Sequence, residues 1–233
     1  MTEARNELTY IIAEMACSHD GQADLAKRII DGAGAAGASA IQFQIWDLQS
    51  LVVAQHSSYR KLRELELPAD VWSSLAAYSR ERHPRMDIIA CVSEEASIRL
   101  AEKLNVDAYK IHAGDLENPG LLRNVAATGR RIDLCVGAAT DAEIEVGVST
   151  IRRTSSADLW LMYGYQVFPT PTEAIHLRSM QRLGEMFGLP IGYQDHSDAE
   201  SSAAFYLPAA AAGVGVRIQE KPVSYTHLRA HET

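Results

Sequence analysis

No stretch of the 233-residue sequence approaches the roughly 18 consecutive apolar residues of a membrane-spanning helix, and Met1–Tyr10 is polar, without a signal-peptide core. A cytoplasmic location is the expectation that follows. Cysteine is scarce: Cys17, Cys91 and Cys135 are far apart and odd in number, which argues against a disulfide framework or a zinc-finger spacing. Basic clusters are missing too. With 22 Lys and Arg against 30 Asp and Glu, the net charge of −8 offers no stripe to neutralise phosphates, so nucleic acid is not an expected partner. No Gly-x-Gly-x-x-Gly directly follows the first apolar run, which weakens a dinucleotide-binding reading.

What is present is an ordinary globular composition, 47% hydrophobic and 22% charged, with a rhythm in it. Short apolar runs occur at Tyr10–Ala16, Ala40–Trp46, Met86–Val92, Ala108–Ala113, Ile132–Gly137, Leu159–Gly164, Pro190–Asp195 and Val216–Glu220. Helical patterns separate them: Asp24–Ala36, Ala69–Arg82, Glu94–Leu104, Pro119–Ala127, Thr140–Arg152, Thr172–Phe187 and Asp198–Ala212, the last with Pro208 expected to kink or shorten it. Continuously apolar strands alternating with helices describe a parallel sheet covered on its outer face, and the eightfold count points to an α/β fold of the (β/α)8 TIM-barrel type. The long connection Asp47–Pro68, with His56, Tyr59, Arg60 and Lys61, leaves the second strand on the side where barrels carry lids; a solvated extra helix is the equal alternative.

Barrel chemistry sits at the C-terminal ends of the strands. The polar residues there are Glu14, Gln42, Gln44, Lys110, His112, Asp115, Tyr165, Gln166, Asp195, His196, Glu220 and Lys221. Charged and amide groups in apolar strands are costly unless paired or used, and so many at one rim favour an active site. Glu14 suits a general base or half of a structural ion pair with Lys110. Lys110 suits an anion. His196 after Asp195 suits a metal ligand or an ordinary helix start. His19 and Gly21 suit a turn or a substrate loop, and the cysteines suit small apolar fillers.

The motifs Ile12-Ala13-Glu14, Ser18-His19-Asp20-Gly21, Gly37-Ala38-Ser39-Ala40-Ile41-Gln42-Phe43-Gln44, Ala108-Tyr109-Lys110-Ile111, Gly114-Asp115-Leu116, Phe168-Pro169-Thr170-Pro171, Gly192-Tyr193-Gln194-Asp195-His196 and Glu220-Lys221 occur in order. Together they resemble the sialic acid synthase family, which includes N-acetylneuraminate, legionaminate and pseudaminate synthases. The resemblance implies condensation of phosphoenolpyruvate with an N-acetylated aldose such as N-acetylmannosamine, giving a nine-carbon 3-deoxy-2-keto acid and phosphate, with a divalent ion, Mn or Mg, polarising the aldehyde. It further implies that Glu14 handles water or a proton, Lys110 holds phosphate, Glu220 positions substrate and ion, and His196 binds metal. Gln42, Gln44, Cys91, Ala113, Asp115, Cys135, Gln166, Gln194 and Lys221 fall at substrate-binding positions. Family members have Lys where this chain has Gln42. Hydroxyl donors are replaced by Cys91, Ala113, Cys135 and Gln194, and an Asn by Gln166. Arg60 or Lys61 is a candidate to restore the lost charge.

The family's second metal-ligating His stands where this chain has Pro222. Residues 223–233 carry almost no apolar stripe and resemble a translated adapter, so they are expected to be foreign. On that reading residues 1–222 are a barrel domain lacking its eighth helix and the small antifreeze-like domain of relatives, from a parent expected to be a homodimer. The competing functions are another 3-deoxy-acid synthase or aldolase, and a catalytically silent sugar-binding barrel.

Overall fold

The computed structural model describes residues 9–165 and 167–223. Eight parallel strands close into a barrel in sequence order, β1 Tyr10–Glu14, β2 Ala40–Gln44, β3 Asp87–Cys91, β4 Ala108–Ile111, β5 Arg131–Cys135, β6 Leu159–Tyr163, β7 Ile191–Gln194 and β8 Ile218–Pro222, with β8 pairing back onto β1. Six of the expected runs contain their strands, trimmed at the ends, while β5 begins one residue before its run, at Arg131, and β8 extends two residues beyond its run, to Pro222. The outer ring comprises α1 Ala23–Ala35, α4 Ala69–Arg82, α5 Glu95–Leu104, α6 Pro119–Ala127, α7 Asp141–Thr154, α8 Leu177–Phe187 and α9 Ala203–Gly213. The long connection after β2 is helical in two pieces, α2 Leu48–Leu51 and α3 Tyr59–Leu65. Among the described residues no helix follows β8, and none is long and apolar enough to cross a membrane.

Local chemistry explains the helix ends. Thr140 and Glu143 form a reciprocal capping box at α7, Asn118 caps α6 with Pro119 in its first turn, and Asn105 closes α5 in the left-handed conformation. Two expected starts are late. Thr172–Ala174 is a separate 3-10 turn before α8, and α9 begins at Ala203 rather than Asp198. Pro208 does not break α9. Its missing N–H leaves the Ala204 carbonyl without its helical donor, and Lys221 Nζ donates to that oxygen at 3.2 Å. A Gly-x-Gly-x-x-Gly spacing does occur at Gly32–Gly37, but it spans the carbonyl end of α1 and the turn beyond, the wrong end for a phosphate.

The main core lies between the sheet's outer face and the helices, where Trp72, Leu75, Ile88, Val125, Leu134 and Ile151 are buried. A second cluster fills the barrel itself: Ile12, Ala40, Ile89, Ala108, Cys135, Met162 and Ile218. The N-terminal mouth is plugged by Arg131, which stacks 3.9 Å over the Trp160 ring and 4.9 Å over Tyr10 while pairing with the buried Asp133. Ligands therefore have the C-terminal mouth as their entry.

Close backbone approach decides which glycines matter. A Cβ at Gly137, just past β5, would stand 1.8 Å from the Gly164 carbonyl oxygen, whereas one at Gly32 in α1 would meet nothing. Gly137→Ala is expected to lower the urea midpoint by the equivalent of about 1–3 kcal/mol or more. Gly32→Ala is expected to raise it, by up to about 1 kcal/mol. Equilibrium unfolding of the two variants checks both signs.

Candidate active site

Alternation along a strand sends every second side chain into the barrel. From the ends of the strands it brings Glu14, Gln42, Cys91, Lys110, Cys135, Gln194 and Glu220 to one inner layer, with Glu14 beside Gln42, Cys91 beside Lys110 and Gln194 beside Glu220 in register. Lys110 and Glu220, both buried, form an ion pair across the barrel from β4 to β8. Gln194 Nε2 donates to the same Glu220 Oε1 at 3.1 Å.

The layer is electrostatically uneven. Burial works against a charged Lys110, yet Glu220, together with Cys135, Cys91 and Glu14, more than offsets it and holds the ammonium above its usual range. Burial likewise opposes a charged Glu220, but the Lys110 charge and hydrogen bond keep its carboxyl below the usual value. Glu14, half-buried, differs: burial pushes it up to about 7, with Lys110 opposing and Glu220 adding repulsion. One carboxylate is thus fixed as an anion and the other stands ready to gain or lose a proton near neutrality. Burial pushes the Cys135 thiol up to about 12 and Cys91 well above its ordinary value, which makes both inert fillers.

Several polar atoms in this layer make no hydrogen bond of normal geometry, although the Gln42 amide is near enough to Glu14 to favour its ionised form. Both amide atoms of Gln42, Gln194 Oε1 and Glu220 Oε2 are buried without a hydrogen-bond partner among the described residues. Each such group costs about 1–3 kcal/mol unless something fills it. Their clustering in one layer is the mark of a place where a polar ligand sits.

The other expected residues take different stations. Gln44 is half-exposed at the rim above Gln42, Ala113 packs on the inner cluster at the top of β4, and Asp115 is half-buried in the short 3-10 turn that follows, its carboxyl raised by burial. His196 is half-buried, with Nδ1 2.7 Å from the Tyr165 carbonyl oxygen; that oxygen can only accept, so Nδ1 carries the hydrogen and Nε2 is left available. Gln166 lies outside the described residues, as do residues 224–233. Lys221 is not in the layer: next to inward-facing Glu220, it projects from the outer face, bonded to buried Asp195 and to the Ala204 carbonyl.

His112 went unassigned in the sequence, although it lies two residues beyond Lys110 and therefore on the same face. Burial, with Lys110 beside it, lowers its pKa to about 4, so it stands neutral over the ion pair at pH 7. Metal donors do not gather. Among the described residues no group of three or more His, Cys, Asp or Glu side chains is placed to hold an ion.

A parallel eight-stranded barrel carrying one buried acid–base layer at its C-terminal mouth is the architecture of a small-molecule enzyme. Residues 29–229 match the NeuB family, and the chain belongs to that family. It is 27% identical over 232 residues to the spore coat polysaccharide biosynthesis protein SpsE of Bacillus subtilis, covering 94% of this chain and 61% of that protein. It is 29% identical over 226 residues to the N-acetylneuraminate-9-phosphate synthase of Drosophila melanogaster, covering 91% of this chain and 59% of that one. In structure it resembles the N-acetylneuraminic acid (sialic acid) synthetase of Leptospira borgpetersenii serovar Hardjo-bovis, solved with citrate, at TM-score 0.86 and 26% identity over 94% of this chain and 74% of the other. The chain thus spans about 60% of the length of these two curated relatives. Sugar acid synthases are enzymes, and the chain shares their barrel.

The raised Glu14 has a consequence for stability. Between its ordinary value of 4.5 and about 7 the folded chain holds a proton that the unfolded chain has released. Stability contributed through this group is therefore lost as pH rises through that window. His112 and His19, whose pKa values burial lowers from 6.5 to about 4, act in the opposite sense, so the comparison isolates Glu14: relative to Glu14→Gln, the urea midpoint of the wild type is expected to fall between pH 5 and 7.5, and an equal slope in the two proteins contradicts the assignment.

Proposed function

We propose that the chain carries the condensation of phosphoenolpyruvate with an N-acetylated aldose of the N-acetylmannosamine kind. The products are a nine-carbon 3-deoxy-2-keto acid and inorganic phosphate. The observation that carries this reading is the layer itself, a fixed Lys110–Glu220 pair next to a titratable Glu14, with unpartnered amides around them in a NeuB-family barrel.

In this reading C3 of phosphoenolpyruvate forms the new bond to the aldehyde carbon. Water adds at C2, and phosphate departs with cleavage of its C–O bond. Glu14 accepts the proton of the attacking water, for which a pKa of about 7 suits it at neutral pH, and the aldehyde oxygen takes up one proton in exchange as it becomes the new hydroxyl, which leaves the site without net loss or gain of a proton. The Lys110 ammonium, held protonated by Glu220, provides the buried positive charge for the phosphate or carboxylate of phosphoenolpyruvate. Glu220 Oε2 and the Gln42 amide supply the open acceptors and donors for substrate hydroxyl and oxygen atoms.

A resident Mn or Mg ion does not fit the residues in place. His196 Nε2 is one available imidazole, no three donors converge among the described residues, and the position of the expected second histidine is Pro222. No step above is routed through an ion. The same deficit, with neutral Gln42 in the layer, favours a second reading, a sugar-binding barrel without turnover. A homodimeric parent acting on these small molecules belongs to the first reading.

Phosphate release from phosphoenolpyruvate over a panel of N-acetylated aldoses tests the proposal. Turnover is expected to rise with pH through about 7, following Glu14. Glu14→Gln is expected to lower kcat by about 10²–10⁴-fold while leaving phosphoenolpyruvate affinity within about threefold. Sugar binding with no phosphate release from any aldose would favour the silent barrel.

A further inference from the structure

The buried layer carries too little positive charge for the ligand proposed above. Lys110 is already matched by Glu220, Arg131 is committed to Asp133 at the opposite mouth, and Lys221 is bonded to Asp195 outside the barrel. Gln42 is neutral, and Glu14 adds negative charge as it ionises. Phosphoenolpyruvate brings a carboxylate and a phosphate, so the layer alone meets it with no net cation.

Helix α3 lies where another cation is needed. Leu65, Leu62 and Tyr59 dock it onto Trp46 and Leu48 beyond the end of β2 and onto Cys17, three residues past Glu14. The loop after β1 meets its backbone directly. Gly21, at φ +69, lies so close that a Cβ there would stand 2.3 Å from the Glu64 carbonyl oxygen. His19 in that loop is fully buried, accepts from the Gly21 N–H at 3.1 Å and packs edge-on against Trp72. Helix α3 is therefore seated on the rim beside Glu14 rather than loosely solvated.

On α3, Lys61 precedes Leu65 by one helical turn and so lies along the docked edge, whereas Arg60 is on the opposite face; both are exposed. The Lys61 charge reaches the Cys17 thiol and favours its ionised form, although burial holds that thiol up at about 11; Glu14 acts on the same thiol in the opposite sense. Lys61 and Glu14 thus both act on Cys17, which shares a cluster with the apolar face of α3.

We infer that Lys61, presented by α3 over the end of β1, is an anion-binding residue that supplies the charge Gln42 lacks and holds the phosphate or carboxylate of phosphoenolpyruvate from the rim. The inference rests on the proposed substrate. It also accounts for the docking of a short helix that fills no part of the main core: its apolar face fixes the height of one ammonium group above the layer.

Calorimetric titration of phosphoenolpyruvate into the full chain is the test, with wild type, Lys61→Ala, Lys61→Arg, Arg60→Ala and the double variant Gln42→Lys/Lys61→Ala. Lys61→Ala is expected to weaken binding about tenfold and to flatten its salt dependence, at an unchanged thermal midpoint. Lys61→Arg is expected to stay within about threefold of wild type, and Arg60→Ala to match it. In the double variant, Gln42→Lys is expected to recover most of the loss, as a purely structural role for Lys61 would not allow. Binding by wild type that Lys61→Ala leaves unchanged, or that Arg60→Ala weakens equally, overturns the role of Lys61 and leaves the proposed function standing. Absence of phosphoenolpyruvate binding in the wild type overturns the proposed function itself.

Discussion

The structure depends on one interaction across the barrel, between Lys110 on β4 and Glu220 on β8. The two strands stand on opposite sides of the closed sheet, so the pair is a strut as well as a charge balance. Removing either partner would leave an uncompensated charge in a buried layer, a loss of about 3–5 kcal/mol for buried pairs. The pair does not by itself set the state of Glu14. Burial raises the Glu14 pKa, and within the pair the Lys110 charge lowers it by more than Glu220 raises it. The acid–base character of the site therefore comes from burying a second carboxylate beside a pair that is already charge-balanced.

Most of the barrel was legible in the sequence because its strands are buried on both faces and read as unbroken apolar runs. The helix boundaries were less so. Thr172 and Asp198 look like good helix starts, but the segments they open first take short turns over the rim before the helices begin. Pro208 is accommodated inside α9 by a partner that the sequence does not reveal. Its local cost is real, yet Lys221, distant in sequence, fills the carbonyl it leaves open, and no local rule contains that partner.

At the site the alternation of strand residues was the strongest signal, and it was followed incompletely. Applied strictly, it selects Glu14, Gln42, Lys110, Gln194 and Glu220, adds His112, and sends Lys221 to the outside. What alternation cannot show is which polar atoms stay unpartnered; the open Gln42 amide and Glu220 Oε2 emerge only when all the neighbouring side chains are in place. The docking of α3 was illegible for the same reason, since the Gly21–Glu64 contact joins a loop to a helix that no periodicity connects.

Glu220 and Lys221 are consecutive, and they serve opposite sides of the barrel wall. One is anchored to Lys110 within; the other ties β8 to Asp195 and to the backbone of α9. A single peptide unit thus puts the outer helix and the buried carboxylate mechanically in series. The first turn of α9 and the buried ion pair are therefore anchored through neighbouring residues of one strand, so a substitution at either position bears on the placement of both.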